Sequence, residues 1–151
     1  MKRLSKIAAI LAASVLACVL FGCKDSNSND DGNSVTQLEA PTNLRINSME
    51  NVDYLESCRV NITFTFNGTL GGATGATYGI LGVSETNDSS KAYYDSYNST
   101  VHVEAGENTR TATIPNFKAV SGKKYYFWLK VTDAACNVKD STWSKVAEFT
   151  Y

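Results

Sequence analysis

Tyr125-Tyr126-Phe127-Trp128-Leu129-Lys130-Val131-Thr132 is the stretch whose reading decides the fold. Tyr125, Phe127, Leu129 and Val131 alternate with Tyr126, Trp128, Lys130 and Thr132, the period of two that a half-buried strand imposes on its side chains. The same period recurs upstream, where Val60, Ile62, Phe64 and Phe66 alternate with Arg59, Asn61, Thr63 and Thr65. Shorter candidate strands lie at 42–47, 77–84, 99–104, 110–115 and 146–151. Turn residues separate them: Asn67-Gly68, the glycines between 71 and 75, Ala105-Gly106-Glu107-Asn108, and Ser121-Gly122. No window after the N-terminal segment keeps apolar residues at helical spacing for ten residues. Seven short strands punctuated in this way predict an all-β sandwich over residues 38–151. These 114 residues suffice for one domain, with a core that needs no covalent staple.

The chain before that domain has a different character. Lys2, Arg3 and Lys6 precede an uncharged run of 15 residues from Ile7 to Phe21. A positive start followed by a short apolar run has the shape of an export signal, and it is shorter than the roughly 20 residues of a permanent span. Leu20-Phe21-Gly22-Cys23 resembles a lipobox, in which lipid is added to the cysteine and the chain is cut before it. Val15-Leu16-Ala17-Cys18 is a competing box. Polar sequence starts directly after Cys23, whereas cleavage at Cys18 would strand Val19-Leu20-Phe21 on the mature side, so Cys23 is preferred. The expected organisation is a lipoprotein signal at 1–22, a lipidated flexible tether at 23–37 and the sandwich at 38–151. The tether, KDSNSNDDGNSVTQ after Cys23, lacks the apolar surface to offset the entropy of ordering. As a random coil its 14 residues span roughly 20 Å. Two or three acyl chains on Cys23 would hold the protein stably at a membrane. Lys24 after the cysteine departs from the Asp-based inner-membrane retention signal of enteric bacteria, which favours the outer membrane.

Loss of the signal removes three cations from 14, leaving 11 Lys and Arg against 15 Asp and Glu, a net charge of −4. Lys123-Lys124 is the one basic doublet beyond the signal, so a nucleic-acid partner is not expected.

With its strands placed, the domain resembles a fibronectin type III module. Ala40-Pro41-Thr42-Asn43-Leu44 is similar to the family's Pro-x-x-Leu opening, and Val60-x-Ile62-x-Phe64 stands where the family has alternating aliphatics ending in Trp. Tyr125-x-Phe127-x-Leu129-x-Val131 is similar to its sixth strand. Thr142-Trp143-Ser144 with Phe149-Thr150-Tyr151 is similar to its last. The resemblance implies a seven-stranded immunoglobulin-like sandwich. It also implies a structural role for Tyr125, with its ring inward and its hydroxyl bonded to backbone between Phe117 and Gly122. The family's Leu-x-Pro-Gly approach to that tyrosine is absent, and the connection 85–98 is longer than usual. In the implied topology Cys58 and Cys136 sit at opposite poles, roughly 25 Å apart at about 3.3 Å per residue. An exported compartment favours pairing, but a disulfide needs Cα atoms within about 7 Å, so free thiols are the expectation.

Residues suited to chemistry are sparse. His102, the chain's single histidine, lies between Val101 and Val103 on a candidate strand and reads as solvent-facing. It lacks the companions that zinc needs. Asp30-Asp31 falls in the tether, Gly71-Gly72 lacks a following Lys-Ser or Lys-Thr, and no serine occupies a Gly-x-Ser-x-Gly elbow. No enzyme, metal or cofactor is therefore expected. Four Asn-x-Ser/Thr triplets, at Asn61, Asn67, Asn87 and Asn98, follow from composition. The functional signal is aromatic. Tyr126 and Trp128 point away from the core if Tyr125 points into it, and Tyr93, Tyr94 and Tyr97 crowd the long connection. Exposed Tyr and Trp suit protein or sugar contact; the competing readings are a Trp128 covered by a loop and a connection pinned by its own rings. The expected function is a membrane-anchored, non-catalytic module of the cell envelope that binds an envelope or extracellular protein. The alternatives are a carbohydrate-binding module, using Trp128 or the tyrosine loop, and a structural accessory subunit.

Overall fold

A computed structural model of the chain describes residues 37–53, 56–70, 77–135 and 138–151. The signal segment, the tether with Cys23, and Cys136 lie outside the described residues. The strands are Thr42–Val52 (β1), Ser57–Phe66 (β2), Thr77–Ser84 (β3), Thr100–His102 (β4), Gly106–Pro115 (β5), Lys124–Asp133 (β6) and Ala147–Thr150 (β7). They form two sheets ordered β1-β2-β5 and β4-β3-β6-β7, with every pairing antiparallel. The described residues are all-β and form an immunoglobulin-like sandwich.

Two alternating rows make the core. Cys58, Val60, Ile62, Phe64 and Phe66 project from β2, and Tyr125, Phe127, Leu129 and Val131 project from β6. All are fully buried and belong to one cluster with Leu81, Val83, Ala112 and Ile114. Burying a large apolar side chain stabilises by about 1.5–3 kcal/mol, so the two rows dominate the energetics. Neither sheet could keep its inner face in water.

Strand limits differ most from the sequence expectation in three places. β1 runs on to Val52, because register shifts between Thr42 and Arg45 and between Ile46 and Ser48 disturb its period of two. β5 begins at Gly106 rather than at residue 110. Asn108, almost completely buried, accepts from Glu104 N–H and donates to Glu104 O and Gly106 O. Its side chain satisfies the backbone there, so the strand starts inside the expected turn, with Gly106 at φ +89°. β4 is only three residues long, and hydrogen bonds from Leu81 N–H to Ser99 O and from Val103 N–H to Thr77 O continue its register with β3 on either side.

The stretch before β7 runs beside β6 by a different device. Ser141 and Ser144 donate their backbone N–H groups to Val131 O and Leu129 O, at 2.9 and 2.8 Å. Their Oγ atoms accept from Val131 N–H and Leu129 N–H, at 2.8 and 3.0 Å. Two buried hydroxyls thus replace ladder carbonyls, and the β6 backbone stays satisfied where no strand pairs with it.

Tyr125 fastens the pole at which β6 begins. Its ring is fully buried with Phe117 edge-on at 5.3 Å, and its hydroxyl accepts the Val120 N–H at 2.9 Å. The acceptor thus serves the 117–122 stretch named from the sequence. Cys58 is a free, buried thiol, and burial pushes its pKa up. It pairs in register with Ile114 and Asn51, and Asn51 bonds Ala119 in both directions. This places Cys58 at the Tyr125 end of the sandwich, away from the Asp133 end of β6.

Removing the corner hydroxyl tests this account of the pole. Tyr125→Phe should lower unfolding free energy by about 1 kcal/mol, the net worth of one hydrogen bond. Urea denaturation checks it, with an unchanged slope marking an intact fold.

Candidate functional site

The outer face of the four-stranded sheet is built from the residues that alternate with the core rows. Tyr78, Ile80, Gly82 and Ser84 on β3 stand opposite Thr132, Lys130, Trp128 and Tyr126 on β6. His102 and Thr100 on β4 continue the first two rows. An outer sheet face normally meets water; here its middle is covered. Ile80 and Trp128 are each only 5% exposed.

Trp128 therefore does not form part of an exposed face, which corrects the sequence expectation. The cover comes from two irregular segments, 85–98 and 138–146. A Cβ placed on Gly82, the register partner of Trp128, would meet the Ala92 Cβ at 3.0 Å and the Trp143 ring at 3.2 Å. Glycine lets both segments settle on the sheet, and the row holding Trp128 is roofed by them. Tyr126 is half-buried, across from Ser84 and Glu148.

The three tyrosines of the long connection divide by role. Tyr93 is 42% exposed but bound at both ends: its backbone exchanges hydrogen bonds with Val83 at 2.8 and 2.9 Å, and its hydroxyl donates to Pro115 O at 2.9 Å. Tyr94, 40% exposed, packs edge-on against Trp143 with centroids 5.5 Å apart. The Lys130 ammonium lies 5.1 Å from the Tyr94 centroid and 5.4 Å from that of Trp143. It also pairs with Asp140 at 3.3 Å. These two rings pin the connection to the sheet. Tyr97 is 77% exposed, the most open of the large hydrophobic side chains described.

The tip that carries Tyr97 is closed by its own hydrogen bonds. Asp95 Oδ1 accepts from Tyr97 N–H at 2.8 Å and Asn98 N–H at 2.9 Å. Ser99 N–H donates to Asp95 O, and Asp95 N–H donates to the Ser99 Oγ. Ser99 is fully buried, and its carbonyl accepts from Leu81 N–H. The Thr100 hydroxyl bonds Tyr97 O at 3.0 Å. Asp-Ser-Tyr-Asn-Ser is thus an Asx-type turn riveted to β3. The Asn98 and Tyr97 N–H groups hold the Asp95 carboxyl below its ordinary pKa. Nearer β3, Asp88 closes the 3-10 turn Ser89–Lys91 by accepting from Ser90 N–H and Oγ.

Two surfaces frame this one. At the β4 edge Tyr78, 37% exposed, meets His102 edge-on at 6.4 Å, and His102 Nε2 lies 3.8 Å from Glu104. On the far side of the molecule the three-stranded sheet shows a polar face. There Asn47 donates to Asn61 and Thr63, Asn61 to Thr111, and Thr63 bonds Thr109. Its shallow depression is lined by Ser48, Glu50, Arg59, Asn61 and Thr111, none of them aromatic. Among the described residues no group of three or more His, Cys, Asp or Glu could hold a metal ion, and no helix is long and apolar enough to cross a membrane. Trp143 and Tyr78 are the site residues the sequence reading passed over as contact residues. Trp143 had a usable signal in its place between Ser141 and Ser144, whereas Tyr78 is one tyrosine in a strand with none.

No family model matches the chain, and no curated protein matches it. Among solved structures it is similar to the sensor domain of the anti-sigma factor RsgI4 from Pseudobacteroides cellulosolvens. The identity is 19%, over 78% of this chain and 96% of that one, with a TM-score of 0.36.

Acid should loosen the Tyr97 tip. A carboxyl whose folded pKa is depressed contributes stability above its unfolded value, near 3.9 for Asp. That contribution is lost as pH falls through the lower folded value. The amide resonances of Tyr97 and Asn98 should therefore titrate together with a midpoint below the ordinary Asp range, and Asp95→Asn should abolish that titration.

Proposed function

We propose that this chain is a lipid-anchored, non-catalytic binding module of the bacterial cell envelope that recognises a protein partner through the Tyr97 tip. One observation carries the reading: a tyrosine three-quarters exposed on a turn, with its own N–H and carbonyl, and those of Asp95, hydrogen-bonded. An open aromatic ring on a stiff turn loses little conformational entropy when a partner covers it, so contact area converts efficiently into affinity. The residues around it have the same character. Segment 85–98 is rich in Ser, Asn, Asp and Tyr, the mixture of adaptable hydrogen bonders and aromatic anchors that suits protein recognition. Tyr94, 40% exposed, lies three residues before Tyr97.

The anchor at Cys23 and kinship with fibronectin type III modules belong to the same proposal. Lipid on Cys23 rests on the signal-like start and the lipobox. Kinship draws support from the Tyr125 hydroxyl at the Val120 backbone, a corner characteristic of such sandwiches. The tether would join the domain at Gln37, which bridges to Lys139 beyond the Asp133 end of β6. The glycan reading loses Trp128 as a stacking platform, since that ring is buried. The open ring of Tyr97 is what it would retain.

Two experiments test the proposal. Tyr97→Ala should weaken capture of the partner protein from crosslinked envelopes by about tenfold or more, as expected for a hot-spot residue, while Thr111→Ala on the opposite sheet leaves capture intact. Equal capture by both variants would contradict the protein-binding reading, and a glycan-array signal lost in Tyr97→Ala would move it to sugar. Cys23→Ser should shift the protein from the membrane to the soluble fraction; its persistence in membranes would contradict the anchor.

A further inference from the structure

Segments 85–98 and 138–146 reach the outer face of the four-stranded sheet from different parts of the chain, and Lys130 stands where they meet. Its side chain is 19% exposed, with the ammonium near both the Tyr94 and Trp143 rings and 3.3 Å from Asp140 Oδ2. The rings come from different segments, so the cation is shared between them. The carboxylate is committed to this contact, because its other oxygen, Asp140 Oδ1, is buried without a hydrogen-bond partner. The Asp140 backbone is held in turn, accepting from the Gln37 side-chain amide at 2.9 Å.

We propose that Lys130 is a positioning residue: a latch that fixes the binding segment by holding Tyr94 and thereby sets the pose of Tyr97. The physical grounds are threefold. A cation held over aromatic faces and shielded from water is attracted to both rings. An apolar side chain of equal length would fill the space but leave Asp140 with a buried oxygen and no counter-charge. Tyr94 is the residue before Asp95, whose carboxylate closes the tip. Release of the Tyr94 ring therefore loosens the chain between Tyr93, which Val83 still holds, and Ser99, which Leu81 still holds. The latch matters to function only if the Tyr97 reading is right, but its mechanics can be measured without any partner.

Hydrogen exchange on the full chain in detergent tests it, comparing wild type with Lys130→Met, Lys130→Arg and Asp140→Asn. Lys130→Met should accelerate exchange of the hydrogen-bonded tip amides of Asp95, Tyr97, Asn98 and Ser99 by about tenfold or more, while β2 amides stay within about twofold of wild type. Lys130→Arg should restore slow exchange, since guanidinium also binds ring faces. Asp140→Asn should fall between wild type and Lys130→Met. The proposal is overturned if Lys130→Met leaves the tip unchanged, if β2 and the tip accelerate together, or if Lys130→Arg behaves like Lys130→Met. None of these outcomes depends on whether Tyr97 binds a partner.

Discussion

The structure depends on one constraint: the inward rows of β2 and β6 must be buried together. Val60, Ile62, Phe64 and Phe66 on one side, and Tyr125, Phe127, Leu129 and Val131 on the other, leave no room for water between the sheets. Because side chains alternate along a strand, that burial also fixes what each sheet turns outward. The three-stranded sheet turns out an Asn and Thr network that satisfies itself. The four-stranded sheet turns out Ile80, Trp128, Lys130 and Tyr126, a face too apolar to be left bare. Segments 85–98 and 138–146 cover it, and in doing so they create the aromatic surface.

This ordering explains why the core was legible in the sequence and the site only partly so. Alternation is a local property, and it identified both main strands, the full extent of Thr77–Ser84, and the inward ring of Tyr125. Bulges are less visible, and the shift near Ile46 hid the second half of β1. A side chain that replaces a turn is equally hard to read, as Asn108 shows at the start of β5. Trp128 exposes a different limit. Its face was read correctly, but exposure depends on what lies above that face, and the cover comes from Ala92 and Trp143, far away in sequence. Gly82 was the available clue, since a glycine opposite a tryptophan leaves space for a third group.

On the proposed function, the tyrosines of 85–98 serve stability and recognition together. Tyr93 and Tyr94 spend their rings and hydroxyl on the sheet, the Pro115 carbonyl, Trp143 and Lys130. That expenditure stiffens the chain through which Tyr97 is presented. A binding surface carried on irregular backbone is usually mobile. Here the buried Ser99, the Asp95 carboxylate and the Lys130 contact supply the order that a strand would otherwise give. The proposed binding face thus lies on the side of the molecule whose outer sheet face is covered, opposite the polar sheet.

Site-specific photocrosslinking in living cells compares those two sides directly. A photoreactive phenylalanine at position 97 should crosslink a single discrete protein, whereas the same group at position 111 should give no such product. Crosslinking from position 111 with none from position 97 would contradict the assignment of the binding face.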